Sequence, residues 1–360
     1  MSNATCGALK RTLRLWLLFK HYVPQFVLRN FCAGAKPKIW AFDKNTGKSF
    51  ETNVRNIAGE REFYDLSVGD ATLSLEEGLS KLETRAGTVI DRIIGARSLG
   101  VLSDDDRALL AVFVSTQMQR GPNPRQSMLA MNQELRRVLK GRVGIEDGDF
   151  PELTAEEAKA MTMRSLTEPQ KFAEHILNKA WLMFETSSSH PFFIGDSPVT
   201  LQNDTQSKGP LRGNLGLAVR GIEIYLPISS TFTLAFFCRS HEEMIRNGVE
   251  RMRTTMVRNS GHPMGFGDLL NWRRAFRTGG ALPSSPDIVL NHNSLQVRHA
   301  ERYVFSSQPD FELVESMIAN DARFRVGPRP EITWRVAAGA SKAPTLPEEP
   351  ILQRPFRTHG

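Results

Sequence analysis

Four side chains can handle protons or bind cations: His21 just before a predicted helix, Glu76 and Glu83 on one predicted helix, and Asp196 after a short predicted strand. Imidazole titrates near neutral pH, so His21 can act as a base, an acid or a metal ligand. Carboxylates supply the oxygen ligands that Mg²⁺ and Mn²⁺ take. If folding brings the four together, they predict a site for one of these divalent cations, with His21, Glu83 and Asp196 as the catalytic groups.

Each of these residues also has an ordinary structural role open to it. His21 can fix the start of the following helix or pair with a carboxylate. Glu76 and Glu83 share a stripe that flanks the apolar face of a predicted helix, where an Arg partner would satisfy them. Asp196 begins an Asp-Ser-Pro turn, in which a carboxylate can cap nearby N–H groups. The sequence leaves both interpretations open.

Four further residues are candidates for substrate binding: Gln25, Arg29, Arg120 and Arg125. Gln25 and Arg29 follow His21 in a run that is neither a strand alternation nor a phosphate loop. Arg120 and Arg125 flank a predicted junction between two helices. A guanidinium there can grip a phosphate or a carboxylate bidentately, or it can tie down Glu76 or Glu83 as an internal ion pair.

The chain carries a formal charge of +7, and the excess is mostly arginine in the second half. This surplus allows contact with nucleic acid or another anionic ligand. A solvated basic face is the alternative, because acids are interspersed among the basic residues. The arginines concerned are Arg251, Arg253, Arg258, Arg273, Arg274 and Arg277.

Composition places the chain among ordinary globular proteins. Its 360 residues, 40% hydrophobic and 24% charged, suit one large domain or two of average size. The three cysteines are far apart and form no zinc motif, which fits a reducing compartment. No segment approaches a membrane span, so we expect a soluble cytoplasmic protein. Residues 1–19 form a basic, apolar leader, which we expect to be disordered.

Helical patterns dominate the first half. A short helix containing Pro24 is followed by a hairpin, because Asn45-Thr46-Gly47 joins two extended runs. Apolar spacing and capping residues then predict a bundle. The predicted helices cover residues 74–97, 103–119, 125–139, a segment opening at Thr154, and 170–185.

The second half mixes strands and helices. We predict a strand at residues 192–194, a hairpin from 223–228 and 231–237, and helices near 241–247 and 288–305. His292 and His299 lie on the last helix and lack a third ligand, so we interpret them as surface or core histidines. The order predicts an α+β fold: an N-terminal β-hairpin, a central helical bundle, then a small, mostly antiparallel sheet with further helices. We expect one domain over 20–327 and a Pro-rich, disordered tail over 328–360.

The run His21-Tyr22-Val23-Pro24-Gln25-Phe26 resembles the opening signature of the domain-of-unknown-function 4238 family. The resemblance extends over roughly residues 20–307, and Gly195 departs from it because the family usually has Ser or Thr there. The family has no established activity, so the resemblance implies no catalytic role for any residue. Matching elements are Lys38–Thr52, Glu76, Glu83, Gln117, Arg120, Pro122, Asp196-Ser197-Pro198, Leu226-Pro227, Asn291, Ala300 and Arg302–Ser306.

Two functional hypotheses follow from these residues. The first is a metal-dependent hydrolase acting on phosphodiesters or another anionic substrate. In it the metal activates water, His21 or an acid handles the proton, and Arg120 holds the phosphate. The second is a non-enzymatic binding or regulatory module that contacts an anionic partner such as nucleic acid. There the polar residues of the opening run brace the join between hairpin and helices.

Overall fold

The structure is a computed structural model that describes residues 19–34, 36–61, 65–68, 71–143, 149–203, 215–259 and 266–330. The predictions for the leader and for most of the tail concern residues outside these ranges. Among the described residues, no helix is long and apolar enough to cross a membrane.

The N-terminal region contains the predicted short helix and hairpin. Helix α1 (Gln25–Arg29) begins directly after Pro24, whose carbonyl accepts from Val27 and Leu28. Strands β2 (Lys38–Asp43) and β3 (Lys48–Asn53) pair antiparallel, and Gly47 takes a positive φ of 70° in the turn between them. Two further antiparallel pairs join β1 (Phe19–His21) to β4 (Gly59–Arg61) and β5 (Asp65–Val68) to β6 (Ala71–Ser74).

A run of helices follows, as predicted. Ser103 and Thr154 each form a capping box with the acid three residues later, which fixes where two of these helices begin. The third helix begins at Pro122, three residues before the predicted start, because proline fits the first turn of a helix. The helices are α2 (Glu76–Ala96), α3 (Asp104–Gln119), α4 (Pro122–Val143), α5 (Ala155–Thr167) and α6 (Gln170–Leu177).

The second half builds a five-stranded sheet in the order β12-β7-β11-β10-β9, antiparallel except where β12 joins β7. Helices α7 (Arg239–Asn259), α8 (Phe266–Thr278), α9 (Pro286–His299) and α10 (Glu312–Asn320) accompany it. The strands of this sheet are β7 (Ala180–Glu185), β9 (Thr200–Gln202), β10 (Glu223–Pro227), β11 (Phe232–Phe237) and β12 (Leu282–Pro283).

A four-stranded antiparallel sheet joins the two ends of the described chain. Its order is β3-β2-β13-β8, with β8 (Ile194–Gly195) at one edge and β13 (Tyr303–Ser306) beside the N-terminal hairpin. Arg302 donates to both carboxylate oxygens of Asp43, 259 residues away in sequence. The α+β class is therefore confirmed.

Two segments differ from their predicted type. Residues 180–185 form the buried strand β7 instead of continuing a helix, because a continuous apolar run fits a central strand as well as a buried helix. The predicted helix over 288–305 ends at His299, and residues 303–306 form β13. Ala300 is extended, and the next three N–H groups bond to Asp196 instead of to helix carbonyls.

Candidate functional site

The run His21–Phe31, which we call the signature segment, lies against helix α2 and forms one wall of a cleft. The cleft has a volume of about 600 Å³. Helix α2 forms the opposite wall, and Arg120 enters from the end of α3. The lining residues are His21, Gln25, Phe26, Arg29, Glu76, Leu79, Ser80, Glu83, Thr84, Gly87, Thr88, Asp91 and Arg120.

Helical periodicity explains why one face of α2 lines the cleft. Glu76, Glu83 and Asp91 recur at seven- and eight-residue steps and therefore share a stripe. The signature segment packs on this face, since a Cβ at Gly87 would be 3.4 Å from the ring of Phe26, which is van der Waals contact distance. The neighbouring stripe, which includes the buried Val89, Ile90 and Ile93, faces the core.

Arg120 connects the signature segment to α2. Its side chain is only 4% exposed. Nη1 lies 2.5 Å from a carboxylate oxygen of Glu83, and Nη2 donates to the backbone carbonyl of His21 at 2.6 Å. Gln117, with its amide turned to satisfy both groups, accepts from Arg120 at 3.1 Å and donates to the carbonyl of Tyr22 at 3.2 Å. Thus Gln117 and Arg120 hold the backbone that carries His21.

The imidazole of His21 has a fixed tautomer when neutral. Nδ1 lies 3.0 Å from the carbonyl oxygen of Ile57, which can only accept, so Nδ1 carries the hydrogen and Nε2 the lone pair. Burial lowers the pKa of His21 below its usual 6.5, and the positive charge of Arg120 lowers it further. The hydrogen bonds to the backbone of Ile57 and Ala58 act in the opposite direction. The lowered pKa favours the neutral ring, the state that a general base requires.

Gln25 and Arg29 occupy the same wall one helical turn apart. Arg29 Nη2 donates to Gln25 Oε1 at 3.1 Å. The structure thus brings six predicted site residues to one cleft. They are His21, Gln25, Arg29, Glu76, Glu83 and Arg120.

Arg125 and Asp196 are not among the residues that line the cleft. Arg125 pairs at 2.5 Å with Glu60 on β4. The buried carboxylate of Asp196 accepts from the N–H groups of Glu301, Arg302 and Tyr303 at 2.6–2.8 Å. Burial raises the pKa of Asp196 to about 6, while these three bonds act in the opposite direction.

Asp196 does not join His21, Glu76 and Glu83 at the cleft. Among the residues that the structure describes, no three His, Cys, Asp or Glu side chains are grouped so that they could hold a metal ion. His21, Glu76 and Glu83 line the cleft, but Asp196 faces the backbone of the segment that leads into β13. The ion pair expected as the alternative is present, since Arg120 holds Glu83.

A family model described as "Protein of unknown function (DUF4238)" matches residues 20–310. The chain belongs to this family. The match includes every residue that lines the cleft, so the cleft is built entirely from the DUF4238 region. No curated protein and no solved structure matches the chain.

Gly195, the departure from the DUF4238 pattern, lies where the backbone is closely packed. A Cβ there would be 3.1 Å from the Cβ of Ala300 and 3.2 Å from the carbonyl of Gln296. Gln296 also accepts from the N–H of Gly195 and donates to the carbonyl of Pro198. A larger residue would require α9 to shift, so glycine has a packing role here.

Sequence reasoning missed several polar residues of the site. Asp91 lines the cleft from the stripe that carries Glu76 and Glu83, and extending the helical spacing by eight residues would have found it. Thr84 and Thr88 also line it, one helical turn apart. Gln117 belongs to the DUF4238 pattern, but its contact with the carbonyl of Tyr22 has no signal in the sequence.

The basic second half resembles a solvated face in its described part. Glu250 lies 3.5 Å from Arg253 and 3.6 Å from Arg273, so acids on these helices offset part of the positive charge. The side chain of Arg258 lies outside the described residues. Contact with nucleic acid stays a prediction.

Proposed function

We propose that the cleft between the signature segment and α2 is the active site of a hydrolase that acts on a small or extended polar substrate, with His21 as the general base. The observation that carries the proposal is the state of His21. The imidazole of His21 donates from Nδ1 to Ile57, has a lowered pKa and lines a polar cleft. The backbone carbonyl of His21 accepts a hydrogen bond from Arg120.

The chemistry follows from that state. Neutral His21 would accept a proton at Nε2 as water attacks the substrate, and it would return that proton to the leaving group as the scissile bond breaks. Arg120 acts as a positioning residue, because it binds the backbone of His21 and the carboxylate of Glu83. Gln25 and Arg29 supply hydrogen-bond donors for a carbonyl or carboxylate of the substrate.

The phosphodiester version of the hydrolase has less support. Glu76, Glu83 and Asp91 line one wall, and their carboxylates would repel the negative charge of a phosphodiester. Among the described residues, no group of side chains could hold a metal ion to offset this repulsion. The binding-module hypothesis is favoured by one observation, the hydrogen bonds that tie the carbonyls of His21 and Tyr22 to α3. Both hypotheses can be separated from ours by changing only the imidazole.

His21→Asn is the decisive variant, because the Asn amide can still donate to Ile57 while the Nε2 lone pair is lost. We expect a drop in hydrolysis of about 10²–10⁴-fold, measured on chromogenic esters, fluorogenic peptides and bis-aryl phosphates. The wild-type rate should fall on acidification with an apparent pKa below 6.5, since only the neutral ring accepts a proton.

Two outcomes would contradict the proposal. If no substrate class is hydrolysed, or if folded His21→Asn is as active as wild type, His21 is not the base. A thermal-shift titration with Mg²⁺, Mn²⁺ and Zn²⁺ tests the metal alternative. A saturable rise in the melting temperature that His21→Asn or Glu83→Gln abolishes would restore the metal-dependent mechanism.

A further inference from the structure

The cleft extends along helix α2. Glu76 and Asp91 line it from the same helix, fifteen residues apart, which corresponds to about 22 Å along the axis. One extended chain fits such a groove, and about six or seven residues of peptide would cover its length.

The wall formed by α2 offers hydrogen-bond acceptors. Glu76, Glu83 and Asp91 contribute carboxylates, which only accept when ionised. The hydroxyls of Thr84 and Thr88 donate their hydrogens back into the helix, to the carbonyls of Ser80 and Thr84. Their oxygens therefore present lone pairs to the cleft. A ligand that faces this wall must bring donors.

The wall formed by the signature segment offers donors instead. Gln25 has its amide oxygen occupied by Arg29, which leaves its Nε2 hydrogens as donors. The Arg29 guanidinium is exposed and carries only donors. A ligand that faces this wall must bring acceptors such as carbonyl oxygens.

The charges of the two walls follow the same division between acceptors and donors. Glu76 and Asp91 lie at the two ends of the α2 wall, and both are exposed. These two acids are too far apart to share one small cation. They can each meet a separate positive group on one extended ligand.

We propose that the ligand of this cleft is an extended peptide segment with basic side chains. Its backbone carbonyls would face Gln25 and Arg29, and its Lys or Arg side chains would reach Glu76 and Asp91. The proposal rests on the cleft being the active site and adds the class of substrate. A basic peptide satisfies both walls, whereas a polyamine has no acceptors for Arg29, and a polyanion has no donors for α2.

Fluorescence anisotropy with labelled heptapeptides tests this on the full-length protein. The probes are a Lys/Arg-rich peptide, a Gln/Ser peptide and an Asp/Glu-rich peptide of equal length. We expect the basic peptide to bind tightest and to weaken with salt, because its charge contacts are partly exposed. Glu76→Gln and Asp91→Asn should each weaken its binding about three- to five-fold.

Glu77→Gln is the matched control. Glu77 neighbours Glu76 on α2, pairs with Lys81 and does not line the cleft, so it changes the net charge equally. Equal losses in Glu77→Gln and Glu76→Gln would mean nonspecific attraction and would overturn the proposal. Equal or tighter binding of the acidic peptide would overturn it as well.

His21→Asn separates this proposal from the proposed hydrolysis. We expect this variant to bind the basic peptide within about two-fold of wild type, because the imidazole is not among the proposed peptide contacts. Cleavage of the bound peptide should be lost in it. Binding without cleavage in wild type would refute hydrolysis of this ligand and leave the binding site intact. Hydrolysis of another substrate class, with no peptide binding, would refute only the peptide assignment.

Discussion

The carboxylate of Asp196 accepts from three consecutive backbone N–H groups just before β13, and its own N–H donates to Tyr303 at 3.0 Å. Three donors occupy most of the roughly four lone-pair positions of a carboxylate. The carboxylate of Asp196 therefore holds the backbone of this segment in place. The Asp-Ser-Pro turn predicted a cap of nearby N–H groups, but the donors come from Glu301, Arg302 and Tyr303, more than 100 residues away in sequence.

Asp196→Asn tests that role. The amide nitrogen of Asn would face one of the N–H donors, so we expect the free energy of unfolding to fall by about 2–4 kcal/mol, measured by chemical denaturation. Asp310→Asn, in which an exposed carboxylate caps only Glu312, is the control and should cost under about 1 kcal/mol. A fully stable Asp196→Asn that has lost hydrolysis would return Asp196 to the active site.

His21 and Asp196 show how far the residues of a site can be predicted from the sequence one by one. Both stood out by type and position, yet only His21 reached the cleft. The difference depends on the partner N–H groups of Glu301 to Tyr303, more than 100 residues from Asp196 in sequence. Local spacing cannot show a hydrogen bond over that separation.

At the scale of elements, Arg120 joins the end of α3 to α2 through Glu83 and to the signature segment through the carbonyl of His21. Arg120 can bridge Glu83 and the His21 carbonyl because its guanidinium is a planar fork. A lysine at this position has one ammonium in place of that fork. The contact of α3 with α2 and the signature segment therefore requires arginine at position 120.

Arg120→Lys and Glu83→Gln should be coupled. We expect each to reduce the free energy of unfolding by about 2–4 kcal/mol, because each leaves a buried charge or carbonyl poorly satisfied. The double variant should cost less than the sum by at least about 1 kcal/mol in a double-mutant cycle. The exposed pair Lys81–Glu77 serves as the control, with a coupling below about 0.5 kcal/mol. Additive losses at Arg120 and Glu83 would show that the pair does not act as a unit.

Element types were predictable where periodicity and caps agree. The starts of α3 and α5 follow from Ser103 and Thr154, and the hairpin turn follows from Gly47. β7 was predicted as helix because Ala180–Phe184 is apolar on both faces, which hides the alternation of a strand. Its neighbours β11 and β12 decide its type, and both come later in the chain.

At the scale of the whole molecule, the buried His292 and the half-buried His299 link stability to pH. His292 lies among the rings of Phe184, Phe192 and Tyr225, with centroids 4.5–5.4 Å away, and its Nδ1 has no hydrogen-bond partner. Burial lowers the pKa of His292, and also of His299, to about 4. Both rings are therefore neutral in the folded protein at pH 5.

Stability should therefore fall as pH drops from 6.5 to 4, since the unfolded chain binds protons there and the folded chain does not. We expect a loss on the order of 2–3 kcal/mol per histidine over that range. Replacing His292 by Phe or by the smaller Leu should flatten this dependence in urea titrations at several pH values. His175→Asn, at an exposed site, is the control. An unchanged slope in both His292 variants would mean that another group drives the acid sensitivity.

The position of β13 has a consequence for how the protein is made. This strand pairs with β2, and its flanking Arg302 reaches Asp43 over 259 residues. At a synthesis rate of about 5–20 residues per second, the edge of β2 waits on the order of 10–50 s for its partner. During that time the ribosome carries an open strand edge that could pair with another nascent chain. We therefore expect truncation before residue 303 to produce aggregation, so that translation speed and chaperone supply affect the yield of folded protein.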